Sequence, residues 1–166
     1  MARPQRYLIA LGSNVRHHRH GRPPEVLQAA LAELQHRGVT IERSSAVMRS
    51  APLGPSRRRY ANAAAIVTTS LLPPDLLALC KRVEAAFGRR PGGKRWTARV
   101  IDLDLVLWED GCWRNPGLTI PHPEFHRRAF VLIPARMIAA DWRDPRSGLS
   151  VRQLHARLTR PRPLPR

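Results

Sequence analysis

Lysine is nearly missing from this chain. Of 29 Lys and Arg residues only Lys81 and Lys94 are lysines, so the other 27 are arginine, and an arginine-rich stretch is by itself weak evidence of a site. Cysteine is scarce as well. Cys80 falls in an expected helix and Cys112 in an expected turn, without metal-ligand spacing, which reads as two free thiols of a reducing compartment, neither of them catalytic. Aromatic residues make up only 5%, leaving few rings on which nucleic-acid bases could stack. No apolar run approaches the roughly 20 residues of a membrane span, and the run at 7–11 is too short for a signal-peptide core. A soluble, cytoplasmic protein without a membrane partner is expected.

Other quantities are ample. At 166 residues with 43% hydrophobic composition, the chain reads as one domain with a real core over 1–159, followed by a disordered Pro/Arg tail at 160–166. The formal net charge of +17 raises a basic RNA-binding module as one reading. Against it, the basic residues are spread through the whole chain, and neither an RNP-like aromatic motif nor a zinc-finger spacing occurs. Such charge attracts small polyanions equally well. Small-molecule partners and a monomer are expected.

The most informative segment is Ile101-Asp102-Leu103-Asp104-Leu105-Val106-Leu107-Trp108. In an extended chain alternate residues share a face, so Asp102 and Asp104 stand side by side while Ile101, Leu103 and Leu105 face the other way. Two neighbouring anions repel, so something cationic is expected to compensate them, and hard oxygen ligands without Cys or His favour Mg²⁺. The alternative is a half-exposed strand whose polar face carries Asp. Just before it runs Gly88-Arg89-Arg90-Pro91-Gly92-Gly93-Lys94-Arg95-Trp96-Thr97-Ala98-Arg99, which brings five cations and an indole. A Gly- and Arg-rich approach to paired carboxylates has the parts to hold a polyphosphate with its magnesium, because the guanidinium fork matches phosphate oxygens.

Strands are expected at 6–11, 39–48 and 60–71, with helices at 23–38 and 73–88, before the Asp strand. That order fits an α+β, ferredoxin-like βαββαβ fold: an antiparallel sheet with the helices on one side, plus extra C-terminal helices at 130–140 and 150–158. Trp113 and the segment 118–120 are expected as edge strands.

With Gly12-Ser13-Asn14, Pro52-Leu53-Gly54-Pro55, Tyr60-Ala61-Asn62, Glu84, Gly88-Arg89, Arg95-Trp96, Arg99, Asp102-Leu103-Asp104, Pro121-His122-Pro123 and Arg128-Ala129-Phe130 in this order, the chain resembles the 6-hydroxymethyl-7,8-dihydropterin pyrophosphokinases over about 7–140. The resemblance implies transfer of a pyrophosphoryl group from ATP to the pterin hydroxymethyl oxygen, with two Mg²⁺ ions on Asp102 and Asp104 bridging the ATP phosphates. It implies that Arg89 and Arg99 face the transferring phosphates and that Arg95 and Trp96 close over the nucleotide. It further implies that Glu84, Leu105, Thr119 and His122 lie on the ATP side. The pterin would lie between Tyr60 and Phe130, with Asn62 on its edge, Arg128 near by, and Ser50, Pro52 and Leu53 offering further groups. Read alone, Tyr60 and Phe130 are core residues, Asn62 a turn or strand-end residue, Glu84 a surface partner of Lys81, and His122 a surface loop histidine.

The chain departs from the family pattern in several places. Pro91 stands where a second loop arginine is common, Thr97-Ala98 replaces Gly-Pro, and Ser50-Ala51 replaces Thr-Pro. Val15-Arg16-His17-His18 and Pro134-Ala135-Arg136 each replace a less basic segment. A proline removes an amide donor and fixes the backbone, so the arginine loop is expected to close differently. A paralogue acting on a related pterin therefore stands beside the main reading.

Overall fold

The apolar run at the start of the chain forms the central strand of the sheet. β1 (Gln5–Ser13) is flanked by β4 (Tyr60–Thr69) on one side and β5 (Asp102–Trp108) on the other, both antiparallel. β2 (Thr40–Ser44) and β3 (Met48–Ser50) share the outer edge of β4, giving the order β2-β4-β1-β5 with β3 beside β4. The computed structural model describes residues 3–51, 58–88 and 99–161.

α1 (Pro23–His36) and α2 (Pro73–Ala86) each open on proline at the first helical position, where the missing amide donor costs nothing. Their apolar stripes pack with Tyr7, Ile9, Leu11, Leu103 and Leu105 on one face of the sheet. The other face is covered too. Leu8, Ile66, Val106 and Leu107 pack there against Phe125, α3 (Ala129–Ala139) and α4 (Val151–Thr159). Helices therefore lie on both sides: α1 and α2 share one face, as expected of the βαββαβ unit, and the C-terminal α3 and α4 take the other. The physical reason is visible in β1, whose apolar residues run without alternation and so have two faces to bury. α4 begins with a reciprocal cap: Ser150 Oγ accepts from Gln153 N at 3.2 Å, and Gln153 Oε1 accepts from Ser150 N at 2.9 Å.

Two expected elements differ. The strand at 39–48 is divided, because Ser45 Oγ takes the amide of Ala64 at 2.9 Å where a backbone carbonyl would otherwise continue the ladder. β6 (Trp113–Asn115) and β7 (Leu118–Ile120) pair with each other as a separate hairpin instead of extending the sheet edge. Cys80 is buried in α2, and burial pushes its thiol up to about 12, which makes it inert. Of the tail, positions 162–166 lie outside the described residues.

Candidate active site

Sheet register assembles the site. β1 pairs Gly12 with Asn62 of β4 on one side and with Asp102 of β5 on the other, and two residues back along β1 Ala10 faces Asp104. Paired residues share a face. Asn62, Gly12 and Asp102 thus form a row across three strands, with Asp104 beside it. A cavity of about 120 Å³ opens over this row. Its rim is made by Ser50 of β3, Tyr60 of β4, Arg99, and Arg128, Phe130 and Val131 at the start of α3.

Gly12 keeps the floor clear. A Cβ there would come to 3.5 Å from Asn62 Oδ1 and 3.9 Å from the Tyr60 ring. Asn62 is itself buried and donates from Nδ2 to Ser50 Oγ at 2.7 Å, which fixes the amide's orientation and leaves its oxygen toward Gly12. Tyr60 and Phe130 are half-buried walls of the cavity, not core residues. The Arg128 guanidinium lies 5.8 Å from the centre of the Phe130 ring, within cation–π range.

The carboxylates behave as the alternation requires. Leu103 and Leu105 sit in the core beside α2, while Asp102 and Asp104 face the cavity. Arg99 Nη1 donates to Asp102 Oδ2 at 2.6 Å. Asp104 is held well above the usual carboxylate range, first by burial and then by the charge of Asp102, against the smaller pull of Lys81, Arg128 and Arg99. The pair thus costs free energy when both members are ionised, and a cation between them would remove that cost.

Of the remaining expected residues, Glu84, Leu105, Thr119 and His122 are described but do not line this cavity. Glu84 is only 1% exposed and is no surface residue. Its Oε1 accepts the amide of Leu103 at 2.8 Å, and Oε2 meets Lys81 Nζ at 3.2 Å. The Leu105 side chain is in the core, so only its backbone is available to a ligand. Thr119 is half-buried in β7. His122 follows the cis Ile120-Pro121 bond and donates its amide to Val106 O at 2.9 Å. Burial and then the charge of Arg128 lower the His122 pKa, which keeps the ring neutral. Arg89, Arg95, Trp96, Pro52 and Leu53, with Pro91 and Thr97-Ala98, lie outside the described residues. Ala10, Leu11 and Val131 line the cavity without having been expected there, and Gly12 had stood only as a landmark. For Ala10, Leu11 and Gly12 the signal is the strand register, which no local motif carries, and Val131 follows Phe130 at the start of α3.

A family model described as 7,8-dihydro-6-hydroxymethylpterin-pyrophosphokinase matches residues 8–140 of the chain. The chain belongs to that family. Among curated pyrophosphokinase relatives, the 2-amino-4-hydroxy-6-hydroxymethyldihydropteridine pyrophosphokinase of Synechocystis sp. is 40% identical over 148 residues, covering 89% of this chain and 73% of that protein. The Haemophilus influenzae protein of the same name is 39% identical over 143 residues, covering 85% and 86%. The Bacillus subtilis pyrophosphokinase is 36% identical over 128 residues, covering 76% and 73%. The family match takes in β1 through α3, so every described wall of the cavity lies within the pyrophosphokinase segment, and α4 lies beyond it.

Proposed function

We propose that this chain transfers the pyrophosphoryl group of ATP to the hydroxymethyl oxygen of 6-hydroxymethyl-7,8-dihydropterin, giving AMP and the pterin diphosphate in folate biosynthesis. One observation carries the reading: Asp102 and Asp104 share a cavity with Asn62, Tyr60 and Phe130 in a chain of this family. Acid pair and aromatic slot thus occupy one space, as a phosphate donor and a flat acceptor require.

The hydroxymethyl oxygen attacks the β-phosphorus, its proton passes to solvent, and the bond from the β-phosphorus to the oxygen it shares with the α-phosphorus breaks. AMP leaves with that oxygen. Positioning and charge neutralisation supply most of such catalysis. Tyr60 and Phe130 flank the pterin ring, and the Asn62 amide, oriented by Ser50, reads its polar edge. Pro52 and Leu53 border the same ring. Arg99, with Arg89, meets the transferring phosphates, and Arg128 stands between the two substrates. Arg95, Trp96, Thr119, His122 and the Leu105 backbone take the nucleotide, and Glu84 contributes from beneath β5.

Asp102 and Asp104 suit Mg²⁺: they present hard oxygens from two adjacent, partly buried carboxylates and leave other positions for phosphate and water. Held by Asp102 and Asp104, two such ions would supply charge neutralisation for the ATP phosphates and Lewis acidity toward the attacking hydroxyl. We read residues 1–159 as one domain and 160–166 as a tail, acting as a cytoplasmic monomer on small molecules, which free thiols suit.

The test mixes the protein with MgATP and 6-hydroxymethyl-7,8-dihydropterin and follows AMP and the diphosphorylated pterin by chromatography. Equimolar appearance of both is expected. Salt-sensitive RNA binding with no AMP formed would overturn the reading in favour of a basic RNA-binding module.

A further inference from the structure

The residue after β1 is tied to the residue that leads into β5. Asn14 is 4% exposed, and it engages both backbone polar groups of Arg99: its own amide donates to Arg99 O at 3.1 Å, and its side-chain Oδ1 accepts the Arg99 amide at 2.7 Å. The two bonds close a ring. β1 and β5 are already in register at Gly12 and Asp102, so the ring prolongs their pairing beyond the end of β1, with a side-chain oxygen replacing a carbonyl. The Arg99 amide also fixes which end of the Asn14 side chain faces it, because only the oxygen can accept.

Arg99 uses its side chain at the same time. Its guanidinium reaches Asp102 at 2.6 Å, three residues further on. A long, flexible side chain with a charged fork is useful in a reaction only when its root is fixed, since a misplacement of about 1 Å costs rate on the order of a hundredfold. Two bonds to a buried residue directly after the central strand supply that fixing.

We infer that Asn14 is a positioning residue for pyrophosphoryl transfer, holding the Arg99 backbone so that its guanidinium is aimed at the reacting phosphates. The inference rests on the reading of Arg99 given above. Asn14 does not line the described cavity. Its substitution therefore slows the transfer step and leaves substrate binding nearly intact.

The test compares Asn14→Ala, Asn14→Asp, Arg99→Ala and the double variant Asn14→Ala/Arg99→Ala in the full chain. Two readouts are taken: amide hydrogen exchange at Arg99, and kcat with KM for MgATP. Asn14→Ala is expected to deprotect the Arg99 amide and lower kcat about tenfold or more, with KM changed less than about threefold. Asn14→Asp keeps the acceptor, so it is expected to restore Arg99 protection and part of kcat. The double variant is expected to be no slower than Arg99→Ala. If Asn14→Ala deprotects Arg99 while kcat stays at the wild-type value, and Arg99→Ala is slow, the inference falls and the reading of Arg99 stands. If Arg99→Ala itself keeps the wild-type kcat, the reading of Arg99 falls, and the inference with it. Should Asn14→Ala not fold, an Asn14→Asp protein with Arg99 unprotected would equally overturn the clasp.

Discussion

Glu84 Oε1 accepts the amide hydrogen of Leu103, the residue between the two aspartates, at 2.8 Å. The carboxylate thus holds the strand from which Asp102 and Asp104 project. Replacing Glu84 with Ala leaves that buried amide unpaired, and the penalty is about 1–3 kcal/mol. Glu84→Gln retains an acceptor for the Leu103 amide and loses the ion pair with Lys81, whose side chain is 51% exposed and whose pairing is correspondingly screened. Denaturant unfolding is expected to rank wild type above Glu84→Gln above Glu84→Ala. Equal losses for the two variants would show that the charge, and not the bond to Leu103, is what matters.

Asp104 gives a stability effect of opposite sign. Its folded pKa is raised, so the folded state binds more protons than the unfolded one, and stability falls as pH rises through the folded value. Asp104→Asn removes this penalty. Without divalent cations at about pH 8, that variant is expected to melt about 2–4 °C above wild type while losing Mg²⁺-dependent AMP formation. Mg²⁺ is expected to raise the wild-type melting temperature more at about pH 8 than at about pH 5, and to do little for Asp104→Asn. Equal Mg²⁺ effects in the two proteins would remove Asp104 from the metal site.

His17 works in the ordinary direction for a buried histidine. Its Nδ1 accepts the amides of Arg19 and His20 at 3.1 and 3.2 Å, and its ring stacks on His20, which in turn stacks on Phe87. Burial, then His18, His20 and Arg19, lower its pKa. The stability contributed by the neutral ring is present above about pH 6.5 and is lost as pH falls through the lower folded value. Melting temperature is expected to drop across that interval in wild type and to drop less in His17→Gln. Parallel profiles would assign the loss to other groups.

Asn62→Ala removes the amide on the cavity floor and unpairs Ser50 Oγ. It is expected to raise KM for the pterin at least tenfold with KM for MgATP unchanged, because one buried polar contact is worth about 1–3 kcal/mol of recognition. Steady-state kinetics with each substrate varied in turn provides the check. An equal rise in both constants would place Asn62 outside pterin recognition.

The parts of this molecule that repeat locally could be read from the chain. The 3.6-residue spacing of Val26, Leu27, Ala30 and Leu34 marks α1, and the two-residue spacing of Asp102 and Asp104 puts both acids on one face. What depends on pairing between distant strands could not be read. Nothing near Gly12 announces that Asn62 and Asp102 will flank it, since that follows from β1 taking both neighbours in one register. The second helical layer has its signal in β1, whose apolar residues do not alternate with polar ones. Glu84 had no such signal, because its partner is a backbone amide and leaves no mark in composition.

β5 closes the sheet on one side, and an exposed final strand ordinarily invites pairing with another molecule. Here two outward groups are already engaged: the Leu103 amide by a buried carboxylate and the Val106 carbonyl by the His122 amide. A foreign strand docking there would first have to evict Glu84. The clamp that steadies the acidic pair therefore also guards this border against aggregation.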